Sequence, residues 1–287
     1  NFKNYFKSFN PLVCFSVKSN SNLSILKIIG KFGLGADVVS IGELMKVLKA
    51  GIKPNKIVFS GVGKNSKEIE YAIKKKILLI NAESAEEIIE IEKIAKKRRE
   101  IVNIGIRLNP DTDAKTISKI STGKKEDKFG VSEKKLSEII NNYKSSKFIK
   151  IKCLSVHIGS QITSNKPYDM MLKVINRVIN KIKFKFEYID LGGGMGIEYE
   201  IKQKKLNYKN YCDSIKNFLK KNNSKIIFEP GRSIIGDAGI LLTKVIYIKK
   251  TRNKNFVILD AAMNDLIRPA LYNAKHRINP CDKKGKY

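Results

Sequence analysis

Strand-like and helix-like segments alternate along most of this 287-residue chain, and this pattern constrains its fold most. Eight short apolar segments rich in Val, Ile and Phe are predicted to be strands: residues 12–17, 36–39, 57–60, 77–80, 101–108, 151–156, 187–191 and 225–229. Seven segments with helical periodicity lie between them: residues 22–32, 41–50, 67–75, 85–98, 133–141, 167–182 and 208–221. Such alternation is typical of βα units, and eight units predict a TIM-type (β/α)8 barrel. An open doubly wound sheet is the alternative, but no G-x-G-x-x-G motif follows the first strand.

The pattern changes after residue 235. Two long β-like segments, residues 240–248 and 256–261, are separated by a basic turn and have no helix between them. Ser40 and Ser84 precede two of the earlier helices and are expected to cap them. We therefore predict an α/β chain of two domains. They are a (β/α)8 barrel at residues 1–235 and the beginning of an antiparallel β domain at residues 236–287.

The chain is strongly basic, with 57 Lys and Arg against 27 Asp and Glu and a formal net charge of +30. The lysines are scattered and lie mostly in helix-like segments, for example at residues 74–76 and 96–99, which indicates solvated helix faces. A surface that binds nucleic acid is the alternative, but no recognition motif accompanies the charge. The four cysteines lie far apart and predict reduced thiols, with neither disulfides nor a metal site. With no long apolar segment and no signal sequence, we expect a cytoplasmic protein without a membrane partner.

Two polar residues follow predicted strands, at the end where a barrel places its active site. Lys18 follows the first strand, where partial desolvation favours a nucleophilic amine that can form a Schiff base. A lysine that merely reaches water is the alternative interpretation. His157 follows the sixth strand and is a candidate for ring stacking or acid/base work, although single histidines are more often structural.

Two glycine-containing segments follow the seventh and eighth strands. Gly192, Gly193 and Gly194 come after Asp190, and Gly231 lies in the second segment, residues 229–232. Backbone N–H groups in such loops bind phosphate, and phosphate sites after strands 7 and 8 recur in barrels. Glycines also serve in tight turns, but two adjacent loops of this kind predict a phosphorylated ligand.

The chain resembles the barrel-type (fold type III) pyridoxal-phosphate-dependent decarboxylases, and within them the diaminopimelate decarboxylase family. The motifs that carry the resemblance span nearly the whole chain: residues 15–22, 35–40, 59–64, 120–123, 128–130, 157–161, 229–233 and 263–272. The last motif, M-N-D-L-I-R-P-A-L-Y, is the most specific. Ornithine and arginine decarboxylases and alanine racemases do not carry it in this form.

The resemblance implies a role for each matching residue. Lys18 is expected to form the Schiff base with pyridoxal 5′-phosphate, and His157 to stack on its ring. Glu229 is expected to keep the pyridine nitrogen protonated, so that the ring accepts electrons during decarboxylation. The other cofactor-binding residues implied are Asp37, Ser160, Gly192, Gly193, Gly194, Pro230, Gly231 and Arg232. The substrate-binding residues implied are Arg232, Arg268 and Tyr272. A pair between Asp37 and Arg107 is expected to support the cofactor from beneath.

The implied reaction converts meso-2,6-diaminopimelate to L-lysine and carbon dioxide, the last step of lysine biosynthesis. A homodimer with the active site at the subunit interface is expected. Another barrel-type decarboxylase, acting on ornithine, arginine or carboxynorspermidine, is the alternative within the group. A non-catalytic cofactor carrier of the barrel-only type is a further alternative, which the β-like segments after residue 233 disfavour.

One departure from the family concerns both ends of the chain. The Cys-Glu-Ser-x-Asp motif, which supplies the proton donor from a partner subunit, is not found, and residues 281–282 do not form it. The strand that opens the family's β domain is not found before Asn1. We therefore expect a chain truncated at both ends that turns over substrate inefficiently.

Overall fold

Eight parallel strands close into a barrel in the computed structural model, which describes residues 2–110, 128–199 and 205–281. The strands are β1 (Leu12–Ser16), β2 (Gly35–Val38), β3 (Ile57–Phe59), β4 (Leu79–Ala82), β5 (Val102–Arg107), β6 (Ile149–Ser155), β7 (Tyr188–Asp190) and β8 (Lys225–Phe228). Each strand pairs with the next in sequence, and β8 returns to pair with β1 through Leu12 and Ile227. The predicted TIM-type barrel is confirmed, and the open sheet is wrong. The motif at residues 120–123 lies outside the described residues.

The helices that the structure describes surround this barrel or lie beyond it in sequence. They are α1 (Phe2–Tyr5), α2 (Leu23–Lys31), α3 (Ile41–Lys49), α4 (Ser66–Lys74), α5 (Ala85–Arg98), α6 (Glu133–Tyr143), α7 (Lys166–Ile182), α8 (Tyr208–Leu219), α9 (Arg232–Ile235) and α10 (Arg268–Tyr272). Ser40 and Ser84 cap α3 and α5 as expected, because each hydroxyl accepts the N–H of the residue three positions later. These caps fix where the helices begin, next to the carboxyl ends of β2 and β4.

The barrel interior has an apolar layer formed by Cys14, Val58, Leu79, Cys153 and Ile227. Side chains two positions apart on a strand share a face, so the residue that follows Cys14 on this face of β1 is the polar Ser16. The apolar layer therefore ends where a polar layer begins. All four cysteines of the chain are free, in agreement with the reduced thiols expected.

The sequence predicts no element before residue 12, but the structure places α1 and an aromatic cluster there. Phe6 is fully buried, and its ring centroid lies 4.7 Å from that of Phe228 at the end of β8. Phe2 and Tyr211 of α8 complete the cluster, with centroids 5.1 and 5.9 Å from Phe6. Aromatic spacing in so short a segment has no clear periodicity, so only packing against β8 and α8 reveals the role of this segment.

The polypeptide divides into two compact units, one of residues 1–197 and 206–236 and one of residues 198–205 and 237–287. In the second unit, β9 (Val245–Lys250) and β10 (Asn255–Leu259) pair antiparallel, which confirms the predicted small antiparallel sheet. The domain boundary at residue 235 stays a prediction. Among the residues that the structure describes, no helix is both long and apolar enough to cross a membrane.

Candidate active site

A layer of polar side chains lies inside the barrel at the carboxyl ends of its strands. Its buried members come from five strands and from the residue after β8: Ser16, Asp37, Asn81, Ser155, Asp190 and Glu229. Because all eight strands run in parallel, their carboxyl ends meet at one rim of the barrel, where catalytic residues of such barrels lie. Uncompensated acids are costly inside a protein, so this layer indicates a functional site.

Asp37 on β2 accepts a hydrogen bond from the Ser16 hydroxyl, with 2.8 Å between Oγ and Oδ2. Its second oxygen, Oδ1, is buried and has no hydrogen-bond partner among the described residues. Burial raises the pKa of Asp37, and the positive charge of Lys18 lowers it again. A buried acceptor left open in this way is suited to a ligand that donates a hydrogen bond or carries positive charge.

Glu229 and Asp190 are connected through two neutral side chains. The Ser60 hydroxyl donates to Glu229 Oε1 over 3.3 Å, and Asn81 Nδ2 donates to Ser60 Oγ and to Asp190 Oδ2 over 3.3 and 3.2 Å. Ser155 completes the group with a 3.4 Å bond to Asp190 Oδ2. Burial raises the pKa of Asp190 to about 6, and burial together with the charges of Asp190 and Asp37 raises the pKa of Glu229 well above its ordinary range.

Lys18 lies in a short 3-10 turn, Val17–Ser19, directly after β1. Its side chain is exposed, so the partial desolvation expected from the sequence is wrong. The reason is that the turn places Lys18 at the rim of the barrel, beyond the buried end of β1. Its charge nevertheless lowers the pKa values of Asp37, Glu229 and His157, which places the ammonium group near the polar layer. The amine therefore lies near the buried acids and remains accessible to a ligand.

His157 follows β6 and accepts a hydrogen bond at Nδ1 from the backbone N–H of Gly193, over 3.2 Å. Burial lowers its pKa well below the ordinary value, and the charges of Lys18 and Arg107 lower it further. An imidazolium has no acceptor nitrogen, so both observations indicate a neutral ring. This state suits stacking against a flat ligand better than proton donation.

The glycine loop after β7 approaches two neighbouring loops very closely. A Cβ on Gly193 would lie 2.2 Å from the Glu229 carbonyl oxygen, and one on Gly194 2.4 Å from that of Gly159. Gly192 and Gly194 have φ values of +63° and +85°, which side chains rarely adopt. The N–H groups of Gly192 and Gly193 are not bare, as the sequence suggested, because they donate to Asp190 Oδ1 and His157 Nδ1. Their observed role is to shape the loop and hold those two side chains.

The loop after β8 completes this end of the barrel. The Pro230 carbonyl accepts the N–H of Ser16 over 3.1 Å, and a Cβ on Gly231 would lie 3.1 Å from that of Ser19. Arg232 begins α9, and its guanidinium donates to the Ser160 hydroxyl over 3.2 Å. The structure thus brings together Ser160 and Arg232, which the sequence proposes as ligands of the same phosphorylated molecule.

The expected pair between Asp37 and Arg107 is wrong. Arg107 at the end of β5 instead donates to Glu83 Oε1 over 2.7 Å and lies over the ring of Phe129, with its guanidinium carbon 4.7 Å from the centroid. Glu83 Oε2 also accepts the N–H of Gly130 over 2.8 Å. Since Glu83 follows β4, the neighbour of β5, its carboxylate is better placed to hold the guanidinium. This pair fixes the segment that follows residue 127.

Loss of the Glu83 carboxylate is expected to lower the free energy of unfolding considerably. Glu83→Ala leaves a buried guanidinium and the Gly130 N–H without their acceptor, at a cost of about 3–5 kcal/mol. Urea unfolding followed by circular dichroism measures the change. The matched control is Lys93→Ala, which breaks an exposed pair with Glu90 and is expected to cost less than about 0.5 kcal/mol. Equal effects of the two substitutions would contradict the prediction.

Arg268 and Tyr272, the remaining predicted substrate ligands, lie in α10 of the second unit. The Arg268 guanidinium lies over the ring of Tyr199, 4.6 Å from its centroid, and its NH1 lies 3.0 Å from His276 Nε2. Tyr272 is 36% exposed. Tyr199 and His276 therefore orient one predicted ligand, and the sequence does not single out either of them.

Other residues of the polar layer are also absent from the sequence prediction. Asn81 and Ser155 lie within apolar strands and carry no recognisable motif, and Asp190 reads only as the end of a strand. One signal was available for Asn81: Gly105 on the paired strand β5 has no side chain, and a Cβ there would lie 2.0 Å from Asn81 Oδ1. A glycine inside a strand often marks such a close approach.

The chain is similar to known proteins in both sequence and structure. The family model of the pyridoxal binding domain of pyridoxal-dependent decarboxylases matches residues 1–236. The chain therefore belongs to the pyridoxal-dependent decarboxylases. Diaminopimelate decarboxylase of Helicobacter pylori strain J99 is 44% identical over 299 residues, which cover 99% of this chain and 74% of that protein. Diaminopimelate decarboxylase of Aquifex aeolicus is 42% identical over 287 residues, and the match covers 99% of this chain and 68% of that protein.

A solved structure gives the same result. The crystal structure of Helicobacter pylori diaminopimelate decarboxylase complexed with L-lysine superimposes with a TM-score of 0.92 at 45% identity. The match covers 96% of this chain and 70% of that one. The chain belongs to the diaminopimelate decarboxylase family.

Proposed function

We propose that this chain catalyses the pyridoxal-phosphate-dependent decarboxylation of meso-2,6-diaminopimelate to L-lysine and carbon dioxide, the last step of lysine biosynthesis. The observation that carries the proposal is the accessible Lys18 amine near a buried acid layer, in a chain 44% identical to a diaminopimelate decarboxylase along 99% of its length. The L-lysine in the related crystal structure matches the proposed product.

The described residues fit pyridoxal 5′-phosphate. Lys18 offers an accessible amine for covalent attachment, and the neutral ring of His157 offers a flat face. The open oxygen of Asp37 and the carboxyl group of Glu229 are suited to a protonated pyridine. Ser160, Gly194, Gly231 and Arg232 would bind the phosphate, and Gly192, Gly193 and Pro230 would shape its loops. When bound, the protonated ring supplies an electron sink for the pair released as carbon dioxide leaves.

The protein side chains then have separate tasks in the reaction. Lys18 would hold the cofactor covalently through its accessible amine. Glu229 holds the proton at the pyridine nitrogen, because burial near two other acids gives it a high proton affinity. His157 keeps the ring in position and excludes water from one face. Hydrogen bonds from neighbouring loops hold Glu229 and His157 in place, which is the preorganisation that catalysis requires.

Substrate recognition is assigned to three residues. Diaminopimelate has an amino-carboxylate at each end, and arginine binds a carboxylate with two parallel hydrogen bonds. We assign Arg232 and Arg268 to the carboxylates and Tyr272 to the distal group. The contact of Arg268 with Tyr199 supports this assignment, since it limits the orientations of the guanidinium.

The proposal includes a domain arrangement, an assembly and a location. Residues 1–235 form the cofactor-binding domain and residues 236–287 begin the β domain. The enzyme acts as a homodimer in the cytoplasm, with its site at the subunit interface. Analytical ultracentrifugation with and without cofactor tests the dimer.

A substrate panel tests the function. Carbon dioxide release is measured with meso-diaminopimelate, ornithine, arginine and carboxynorspermidine as substrates, each with added pyridoxal phosphate. Release from diaminopimelate alone is expected. Faster release from one of the other three would replace this proposal with the alternative decarboxylase. The inactive cofactor carrier predicts cofactor binding without release from any of them.

A further inference from the structure

Asp190 is a buried acid that the proposed reaction does not use. Its side chain is 0% exposed at the end of β7. Oδ1 accepts the N–H of Gly192 over 2.9 Å, and Oδ2 accepts Asn81 Nδ2 and Ser155 Oγ over 3.2 and 3.4 Å. Within the described ranges no lysine or arginine pairs with it. These three donors stabilise the ionised carboxylate and offset part of the cost of burying it, while burial still raises the pKa of Asp190.

A chain of hydrogen bonds through two neutral side chains, Asn81 and Ser60, connects Asp190 to Glu229. Asn81 uses its amide to donate both to Asp190 and to Ser60, and Ser60 passes the chain on to Glu229 Oε1. Burial raises the pKa values of both acids. The negative charge of Asp190 raises the pKa of Glu229 further. The two acids therefore behave as a coupled pair.

Other charged groups around this pair do not neutralise it. Asp37 adds a third acid and raises the pKa values of Asp190 and Glu229, whereas Lys18 lowers that of Glu229. Arg107 is paired with Glu83. The remaining titratable neighbours are uncharged: burial raises the pKa values of the Cys14 and Cys153 thiols and lowers that of His157. Without a positive charge between them, two buried carboxyl groups joined through Asn81 and Ser60 are not both ionised, so one of them retains a proton.

We propose that Asp190 is a positioning residue that keeps a proton on Glu229, and that this proton is the one required at the pyridine nitrogen of the cofactor. When pyridoxal phosphate is bound, this proton would pass from Glu229 to the pyridine nitrogen, so that an N–H bond replaces the O–H bond and the positive ring compensates the carboxylate. The negative charge of Asp190 then disfavours loss of this proton from the site. This inference rests on the proposed function for the cofactor, but the proton shared by the acids exists without it.

The first test uses cofactor-free protein, so that it does not depend on the proposed function. Acids whose pKa values are raised on folding retain protons that the unfolded chain releases. Stability is therefore unaffected at low pH. It falls as the pH rises from the ordinary carboxyl pKa of the unfolded chain to the raised pKa of Asp190, about 6. Asp190→Asn is expected to flatten this fall in urea unfolding across that range. The matched control is Asp169→Asn, for which an unchanged profile is expected. Asp169 lies on the outer helix α7 and accepts a hydrogen bond from Ser214 of α8. A profile of Asp190→Asn equal to that of the unsubstituted protein would overturn the proposal.

The second test follows the cofactor itself. With pyridoxal phosphate labelled with ¹⁵N, the nitrogen chemical shift reports ring protonation across a pH series. Asp190→Asn is expected to lower the proton affinity of the nitrogen at least about tenfold. Ser60→Ala is expected to raise it, because the charged form of Glu229 loses a donor. Shifts in the same direction indicate a merely structural effect and would overturn the proposal, as would no shift. Failure of the unsubstituted protein to bind pyridoxal phosphate would contradict the proposed function and this cofactor role, while the stability profiles would still decide whether the acids share a proton.

Discussion

Lys18→Ala is expected to abolish covalent attachment of pyridoxal phosphate to the chain and to reduce decarboxylation below detection. The amine is the only group described at the rim directly after β1 that can form this bond, and none of the other cofactor contacts can replace it. Non-covalent binding through the phosphate loops is expected to persist with weaker affinity. Borohydride reduction followed by peptide mass spectrometry measures the attachment and identifies the modified residue.

The control for this prediction is Lys27→Ala, which removes an exposed lysine from the outer helix α2. Labelling of Lys18 is expected to be unchanged in that variant. Label that stays in the Lys18→Ala variant, on any other lysine, would show that Lys18 is not the attachment residue. Because the chain has many lysines, mapping by mass is needed, since total label also includes nonspecific reaction at other lysines.

Glu229→Gln is expected to lower kcat at least about a hundredfold while attachment at Lys18 persists. Glutamine keeps the shape of the side chain but cannot hold the pyridine nitrogen in its protonated form, so the ring withdraws electrons less effectively. A preorganised electrostatic contact of this kind contributes about 10²–10³ in rate. Initial rates of carbon dioxide release are compared with those of the unsubstituted chain, and borohydride trapping is measured in parallel.

Glu187→Gln is the matched control, because Glu187 lies at the opposite end of β7 and pairs with Lys152 over 3.0 Å. No change in kcat is expected there, since that end of the barrel contributes to stability and not to catalysis. A Glu229→Gln variant with full activity would mean that ring protonation does not depend on this carboxylate.

Much of the fold and part of the site follow from local sequence patterns. Each barrel strand lies within two residues of its predicted bounds, because runs of β-branched residues between amphipathic helices specify a buried parallel strand. Lys18, His157 and Glu229 could be named because strand ends in a barrel converge on one rim. Local pattern gave no sign of α1, whose aromatic side chains are ordered only by packing against β8 and α8.

The pairing of charges required the tertiary structure. Arg107 has Asp37 and Glu83 as possible partners in sequence, and only the order of strands around the barrel selects Glu83. Likewise, the sequence suggests that the N–H groups of Gly192 and Gly193 are available to a ligand. In the folded loop they donate hydrogen bonds to Asp190 and His157 instead.

The sequence by itself determined the barrel, its rim and the residues that carry the resemblance to a decarboxylase, because these depend on periodicity and on motifs of adjacent residues. Only the tertiary structure decided which acids share the barrel interior and which groups stabilise them. Asp190 and Glu229 are 39 positions apart in the numbering and Asn81 is 109 positions from Asp190, so their coupling exists only when the barrel closes. Because these acids are buried together in a medium of low polarity, one of them retains a proton. No local sequence pattern encodes that property.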